Sequence, residues 1–212
     1  MDYLQSIISA VCAGEEEQTV AACRQALANG LAPLTIIQQG LIPGIEQVGA
    51  WYQQGEYYLP ELLTGARAMQ EGMALLKPLI ANFSDYHIGV VIIGTVQGDL
   101  HDIGKNLVAI MLESAGFKVI DLGADVTPER FIQAVTEHQA DILALSALLS
   151  STMTTMITVL KQLQQAGLRQ KTKVLIGGAP LSQAFADRIG ADGFAPDAAA
   201  AILIAKQLLH NH

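Results

Sequence analysis

The chain has 212 residues, 51% hydrophobic and 15% charged, which leaves room for one large or two small domains built around a proper core. A formal charge of −8 argues against a nucleic-acid partner, because phosphate backbones are held by a concentrated Lys/Arg face that this sequence lacks. No apolar run reaches the roughly 18 residues that span a bilayer, and the opening Met1-Asp2-Tyr3-Leu4 has no basic n-region, so no membrane partner and a cytoplasmic location are the default expectations.

Residues 2 to about 82 read as helical throughout. Apolar residues at Leu4, Ile7, Ile8 and Val11 give a first helix, and Val20, Cys23 and Leu27 a second that Asn29-Gly30 stops. A third helix starts after Pro33 and a fourth after Pro60, which makes a four-helix bundle. Glu15-Glu16-Glu17 puts negative charge at a helix start, where it complements the macrodipole. Cys12 and Cys23 read as reduced, core or partly buried thiols. The polar stretch Asn82-Phe83-Ser84-Asp85 marks a domain boundary, giving a helical domain over 1–84 and a second domain over 88–212.

From His87 onward strands alternate with amphipathic helices, the strands expected near 88–95, 117–121, 142–146, 173–177 and 193–195. That alternation predicts an α/β domain with a parallel sheet and helices on both faces. Ala198 to Ala201 begins the last helix, which Asp197 can cap, and the closing His210-Asn211-His212 reads as a frayed terminus.

The first strand leads into Asp99-Leu100-His101-Asp102-Ile103-Gly104, and a helix over Ile103 to Ala115 comes next, with apolar residues at Ile103, Leu107, Ile110 and Met111. The motif therefore sits at the carboxyl end of a strand, where open α/β sheets bind ligands. A neutral imidazole is a good axial donor to a metal, and ligating histidines give their other N–H to a carboxylate, a role for which Asp99 is placed. Asp102 reads as the cap of the following helix. Ser146-Ala147-Leu148 and Gly177-Gly178 stand at two later strand ends, where missing side chains permit close backbone approach.

The stretch from Gly94 to Gly123 closely resembles the cobalamin-binding domain shared by methionine synthase and small methyl-carrying corrinoid proteins. That family's pattern is Asp-x-His-x-x-Gly, then Ser-x-Leu, then Gly-Gly, met here in order by Asp99-x-His101-x-x-Gly104, Ser146-Ala147-Leu148 and Gly177-Gly178. The resemblance implies a five-stranded parallel sheet in flavodoxin-like (Rossmann-like) order, preceded by an all-α cap. It implies cobalamin as cofactor, as methylcobalamin or another corrinoid, with cobalt ligated by His101 in place of the cofactor's own base. Ser146, Leu148, Gly177 and Gly178 would line the slot for the released nucleotide tail. Val96, Gln97 and Gly98, with Asp99, Asp102, Ile103, Gly104 and Ala198, would contact the cofactor. In the family a third hydroxyl residue joins the histidine and aspartate as a proton relay; by spacing it is Thr152, with Ser150 and Ser151 also candidates. In the stretch Val48 to Glu61, Tyr52 and Leu59 match cap residues over the upper cobalt face, while Trp51, Tyr57 and Tyr58 read as helix-packing aromatics.

For function, the resemblance implies a methyl carrier without complete catalysis of its own. It would shuttle a methyl group between a substrate-specific methyltransferase and an acceptor methyltransferase using tetrahydrofolate or a thiol, with a reductive activase as third partner. The cap would swing about Asn82 to Tyr86. Methanol, methylamines, methoxylated aromatics and glycine betaine all stay open as donors. A cobalamin-dependent sensor is the main alternative, but the acidic N-terminal helices show no basic recognition face. The small subunit of a carbon-skeleton mutase lacks the helices of residues 41–69, and a flavin-binding domain has no use for the histidine turn.

Overall fold

Asp2 starts the first helix by accepting the Gln5 N–H on its carboxylate at 3.1 Å, and the chain then packs helix on helix. The helices are α1 (Tyr3–Cys12), α2 (Glu16–Ala28), α3 (Pro33–Ile36), α4 (Ile42–Gln54) and α5 (Leu59–Leu76). They belong to a computed structural model in which residues 2–80 and 87–210 are described. It divides into two units, Met1–His87 with Ser114–Gly116 and Ile88–Glu113 with Phe117–His212. The expected hinge, Asn82 to Tyr86, and the terminal Asn211 and His212 lie outside the described residues.

Ile7, Val11, Cys23, Ile36, Leu41, Ile45, Leu62 and Met69 are buried in the helical unit. The expected third helix is not continuous: a π-helical segment, Ile37–Leu41, joins α3 to α4, with the Ile42 N–H donating to the Ile37 carbonyl. Pro43 supplies the reason, since it brings no N–H and its ring crowds the carbonyl one turn back, and the wider turn makes room for it. Trp51 and Tyr57 pack with ring centroids 5.0 Å apart, and the Tyr57 hydroxyl donates to the Cys12 carbonyl at 3.0 Å. Tyr58 differs from its expected packing role and is exposed, because it stands at the N-cap of α5 with its N–H held by Glu61 at 2.9 Å. Among the described residues no helix is long and apolar enough to cross a membrane.

Both cysteines are free and buried, and burial pushes the Cys23 thiol up to about 11. The thiolate is the reactive form. Native protein near neutral pH is therefore expected to leave Cys23 unalkylated by iodoacetamide, with labelling appearing only in denaturant; mass spectrometry of the two samples checks this.

The second unit is built on β1 (Val90–Thr95), β2 (Lys118–Asp121), β3 (Ile142–Ser146), β4 (Lys173–Gly177) and β5 (Gly193–Ala195). All pairings are parallel and the order is β2-β1-β3-β4-β5, the flavodoxin-like order that the resemblance implies. Between and after them run α6 (Ile103–Ser114), α7 (Pro128–His138), α8 (Thr155–Gln165), α9 (Gln183–Ile189) and α10 (Ala198–His210). Every residue of β1 is buried, as a central strand covered on both faces requires. Ile92, Phe131, Leu143, Leu145, Val159, Leu163 and Ile176 form the core between strands and helices.

Register carries this fold to its site. Thr95 lies opposite Ser146, Ser146 opposite Gly177 and Gly177 opposite Ala195, so the motif-bearing strands end in one row. The loops leaving these strands therefore emerge at a single edge of the sheet. β1 pairs with β2 on one side and β3 on the other, which makes the β1/β3 boundary the switch point where such sheets open a crevice.

Candidate functional site

Past Thr95 the chain stays in the sheet for one more residue, the buried Val96, whose N–H donates to the Ser146 carbonyl at 3.0 Å and which bridges to Val126. Gln97 and Gly98 then turn outward, exposed, and Asp99 turns back under them, wholly buried. Its carboxylate joins the two sides of the switch point. Oδ1 accepts the His101 backbone N–H at 3.1 Å and lies 2.7 Å from His101 Nδ1. Oδ2 accepts from the backbone N–H groups of Leu148 at 2.8 Å and Leu149 at 3.2 Å, and from the Thr152 hydroxyl at 2.7 Å.

These donors decide the electrostatics. Burial by itself would raise the Asp99 pKa, but the hydrogen bonds from Leu148, Thr152 and His101 outweigh it and hold the carboxyl well below the usual carboxylate range. Asp99 is a fixed anion. An ionised carboxylate only accepts, so Nδ1 of His101 carries the proton it shares with Asp99, and Nε2 is the ring nitrogen left over to meet a metal. Thr152 Oγ1 also lies 2.9 Å from the Leu149 carbonyl; its single proton serves the charged acceptor better. Of the three hydroxyl candidates, Thr152 is the buried one that reaches Asp99, whereas Ser150 and Ser151 are exposed. Imidazole, carboxylate and hydroxyl thus form a chain of contacts, with a proton resident on Nδ1.

The imidazole is itself 52% exposed, and large apolar side chains that neighbour it along the chain or stand on the loop that holds Asp99 are exposed too. Leu100 is 75% exposed and Ile103 86%, and Leu148 and Leu149, whose N–H groups hold Asp99, are exposed as well. Leaving such side chains in water forfeits about 25 cal/mol per Å², and a cluster of them marks a binding surface. Ile103 departs from its expected place on the packing face of α6: the buried positions are Lys105, Ala109, Met111, Leu112 and Ser114, while Leu107 and Ile110 are half-buried.

The remaining expected positions of the sheet unit fall at the same edge of the sheet. Ser146 and Gly177 end β3 and β4, half-buried, and Gly178 comes next with φ +133°. Ala198, buried, opens α10, where Asp197 accepts the Ala200 N–H at 2.8 Å. Asp102 stands just ahead of α6, and its carboxylate accepts from the Asn106 side chain at 3.2 Å. A Cβ on Gly104 would meet nothing within 4 Å, so the first turn of α6 is open to an outside body. Tyr52, half-buried on α4, and Leu59, exposed at the start of α5, belong to the helical unit.

Three residues absent from the expectations shape the turn. Thr95, wholly buried, donates its hydroxyl to the His101 carbonyl at 2.9 Å. Asp125 accepts the Gly98 N–H at 2.7 Å. Buried Lys105 pairs with Asp121 at 2.5 Å, tying α6 to the end of β2. A polar residue closing the apolar run Val90 to Ile93 and a Gly-Ala-Asp after β2 were the available signals for the first two.

No cluster of three or more His, Cys, Asp or Glu able to hold a metal ion is present among the described residues. One imidazole offers one bond, so this donor suits a metal that brings its own equatorial ligands in an apolar macrocycle, and the exposed leucines and isoleucine suit the same body.

The B12 binding domain family matches the chain twice, over residues 89–203 and over residues 3–77. A dimethylamine corrinoid protein of Methanosarcina barkeri is 41% identical over 209 residues, 98% of each chain. The crystal structure of a cobalamin-binding protein from Desulfitobacterium hafniense DCB-2 superposes with a TM-score of 0.85 at 31% identity, covering 97% of this chain and 98% of that one. The methanol:cobalamin methyltransferase complex MtaBC from Methanosarcina barkeri matches with a TM-score of 0.86 at 30% identity, covering 100% of this chain and 81% of its own.

Proposed function

Because this chain belongs to the cobalamin-binding corrinoid proteins of methyltransferase systems, we propose that it carries a methyl group between two methyltransferases on a corrinoid held from below by His101. The observation that supports this most is the 2.7 Å contact between His101 Nδ1 and the buried Asp99 carboxylate, which leaves Nε2 as the ring nitrogen available to a metal. When bound, the corrinoid supplies a cobalt centre that takes up a methyl group and gives it away.

The chain's own residues do the rest. Asp99 fixes the tautomer and the ring, and holds the proton at Nδ1 while Nε2 faces the metal. Leu100, Ile103, Leu148 and Leu149 exclude water from the lower face. Ser146, Gly177 and Gly178 would receive the nucleotide tail, and His101 would take the place of the cofactor's own base. Val96 to Gly98, Asp102, Gly104 and Ala198 complete the contacts. We assign residues 1–84 to a cap, with Tyr52 and Leu59 shielding the upper face, and residues 88–212 to the cofactor domain.

The partners are a substrate-specific methyltransferase, an acceptor methyltransferase acting on tetrahydrofolate or a thiol, and a reductive activase, all in the cytoplasm. The matched MtaBC complex and the dimethylamine corrinoid relative support the first of these. A chain grown with 15N-histidine, reconstituted with hydroxocobalamin and reduced by one electron is expected to show nitrogen splitting of 15N multiplicity in its spin-resonance spectrum. Splitting of 14N multiplicity, from the cofactor's own base, would defeat the His101 assignment. Methyl uptake is then assayed with methyltransferases for methanol and methylamines.

A further inference from the structure

We propose that Thr95 and Asp125 form a two-point latch on the backbone of the Gln97–His101 turn, and that this latch sets how completely His101 engages the metal. The inference rests on His101 as the axial ligand. Asp99 anchors the imidazole through one ring nitrogen, and the ring is 52% exposed, so its reach depends on the backbone that carries it.

That backbone is held from outside the turn. At its far end Thr95, the last residue of β1, donates Oγ1 to the His101 carbonyl at 2.9 Å from a wholly buried position. At its near end Asp125 accepts the Gly98 N–H on Oδ1 at 2.7 Å, while its own N–H donates to the Asp99 carbonyl at 3.0 Å. Asp125 does this from φ +55°, a left-handed conformation that aspartate and asparagine tolerate better than other side chains. The two arms are themselves joined: the Thr95 N–H donates to the Gly123 carbonyl at 2.9 Å and the Val126 N–H to the Thr95 carbonyl at 3.0 Å. Three successive parts of the turn, Gly98, Asp99 and His101, are thus gripped by groups that do not touch the imidazole. Thr95 and Asp125 are positioning residues.

The test uses the full chain, labelled with 15N-histidine, reconstituted with hydroxocobalamin and reduced by one electron, with the share of metal bearing a histidine nitrogen read from the spin-resonance splitting. Thr95→Val keeps the shape and deletes the donor; Asp125→Gly deletes the acceptor at an exposed site while tolerating the left-handed backbone there. Each is expected to lower the ratio of histidine-bound to unbound metal about fivefold, the worth of one hydrogen bond, with Thr95→Ser and Asp125→Asn restoring it to within about twofold. Spectra of Thr95→Val and Asp125→Gly that superimpose on wild type overturn the latch, as does failure of the serine and asparagine variants to restore the ratio. A wild-type protein without histidine nitrogen on the metal overturns the ligand assignment itself, a result distinct from either.

Discussion

Asp99→Asn is expected to yield a folded protein that takes up cobalamin with His101 off the metal. Leu148, Leu149 and Thr152 all donate toward Oδ2, so an amide at this position turns its oxygen to them and its NH2 toward His101. There the NH2 meets Nδ1, which must then become an acceptor, and the ring proton moves to Nε2. The atom that should bind the metal is thereby blocked. Loss of such a carboxylate partner costs a histidine ligand roughly 10–100-fold in metal affinity. Replacing charge-assisted hydrogen bonds with neutral ones costs about 2–3 kcal/mol of stability, a fall in Tm of roughly 5–10 °C. Nitrogen chemical shifts of His101 in the apoprotein read the tautomer, and nitrogen splitting in the reconstituted protein reads the ligation. Wild-type behaviour in both would mean that Asp99 does not set the tautomer.

Much of this architecture is legible in the order of residue types, and the reason is local. The strands are apolar runs such as Val90-Val91-Ile92-Ile93 and Ile142-Leu143-Ala144-Leu145, set off by glycines and polar turns, and a five-strand βα alternation leaves few ways to wind. Asp99 and His101 are two residues apart, so their contact is also local. Thr152 is different. Only its distance from Ser146 singles it out, because its contact with Asp99 crosses the β1/β3 boundary and depends on the turn of residues 149–154. Thr95 and Asp125 carry only weak local signals, a polar end to an apolar run and a Gly-Ala-Asp turn, because the bonds they make are set by register between separate loops.

At Ile103 two signals conflict. Its helical spacing with Leu107 and Ile110 says core, but it stands at the first position of α6, where the helix emerges from the site, and so it faces outward at 86% exposure. The π segment at Ile37–Leu41 arises from a proline whose effect falls on the preceding turn rather than at the proline itself. Periodicity reads one helix at a time. It sees neither ligand-facing positions nor a change in helical winding.

Gly178→Ala is expected to be the most damaging small substitution in the sheet unit, and Gly104→Ala serves as its control. At Gly178 a Cβ would sit 1.9 Å from the Ala147 carbonyl oxygen, with φ at +133°, so the backbone itself must yield. The strand ends that would part are those of β3 and β4, where Ala147 N–H meets the Gly177 carbonyl at 3.2 Å and where Leu148 and Leu149 begin to hold Asp99. A loss of about 3 kcal/mol or more is expected from strain together with the weakened ladder, seen as a lower denaturation midpoint of the apoprotein. At Gly104 a Cβ meets nothing, and alanine in a helix is favoured over glycine by up to about 1 kcal/mol, so the apoprotein should be unharmed or slightly more stable. Its cost should appear only when cobalamin is added, as weaker binding in a spectrophotometric titration, because in the proposed mode of binding the methyl group takes up open space beside the corrin. If Gly104→Ala bound cobalamin as wild type does, the opening above α6 would not be where the ring approaches; if Gly178→Ala left the midpoint unchanged, the β3 and β4 ends would be freer to separate than their contacts require.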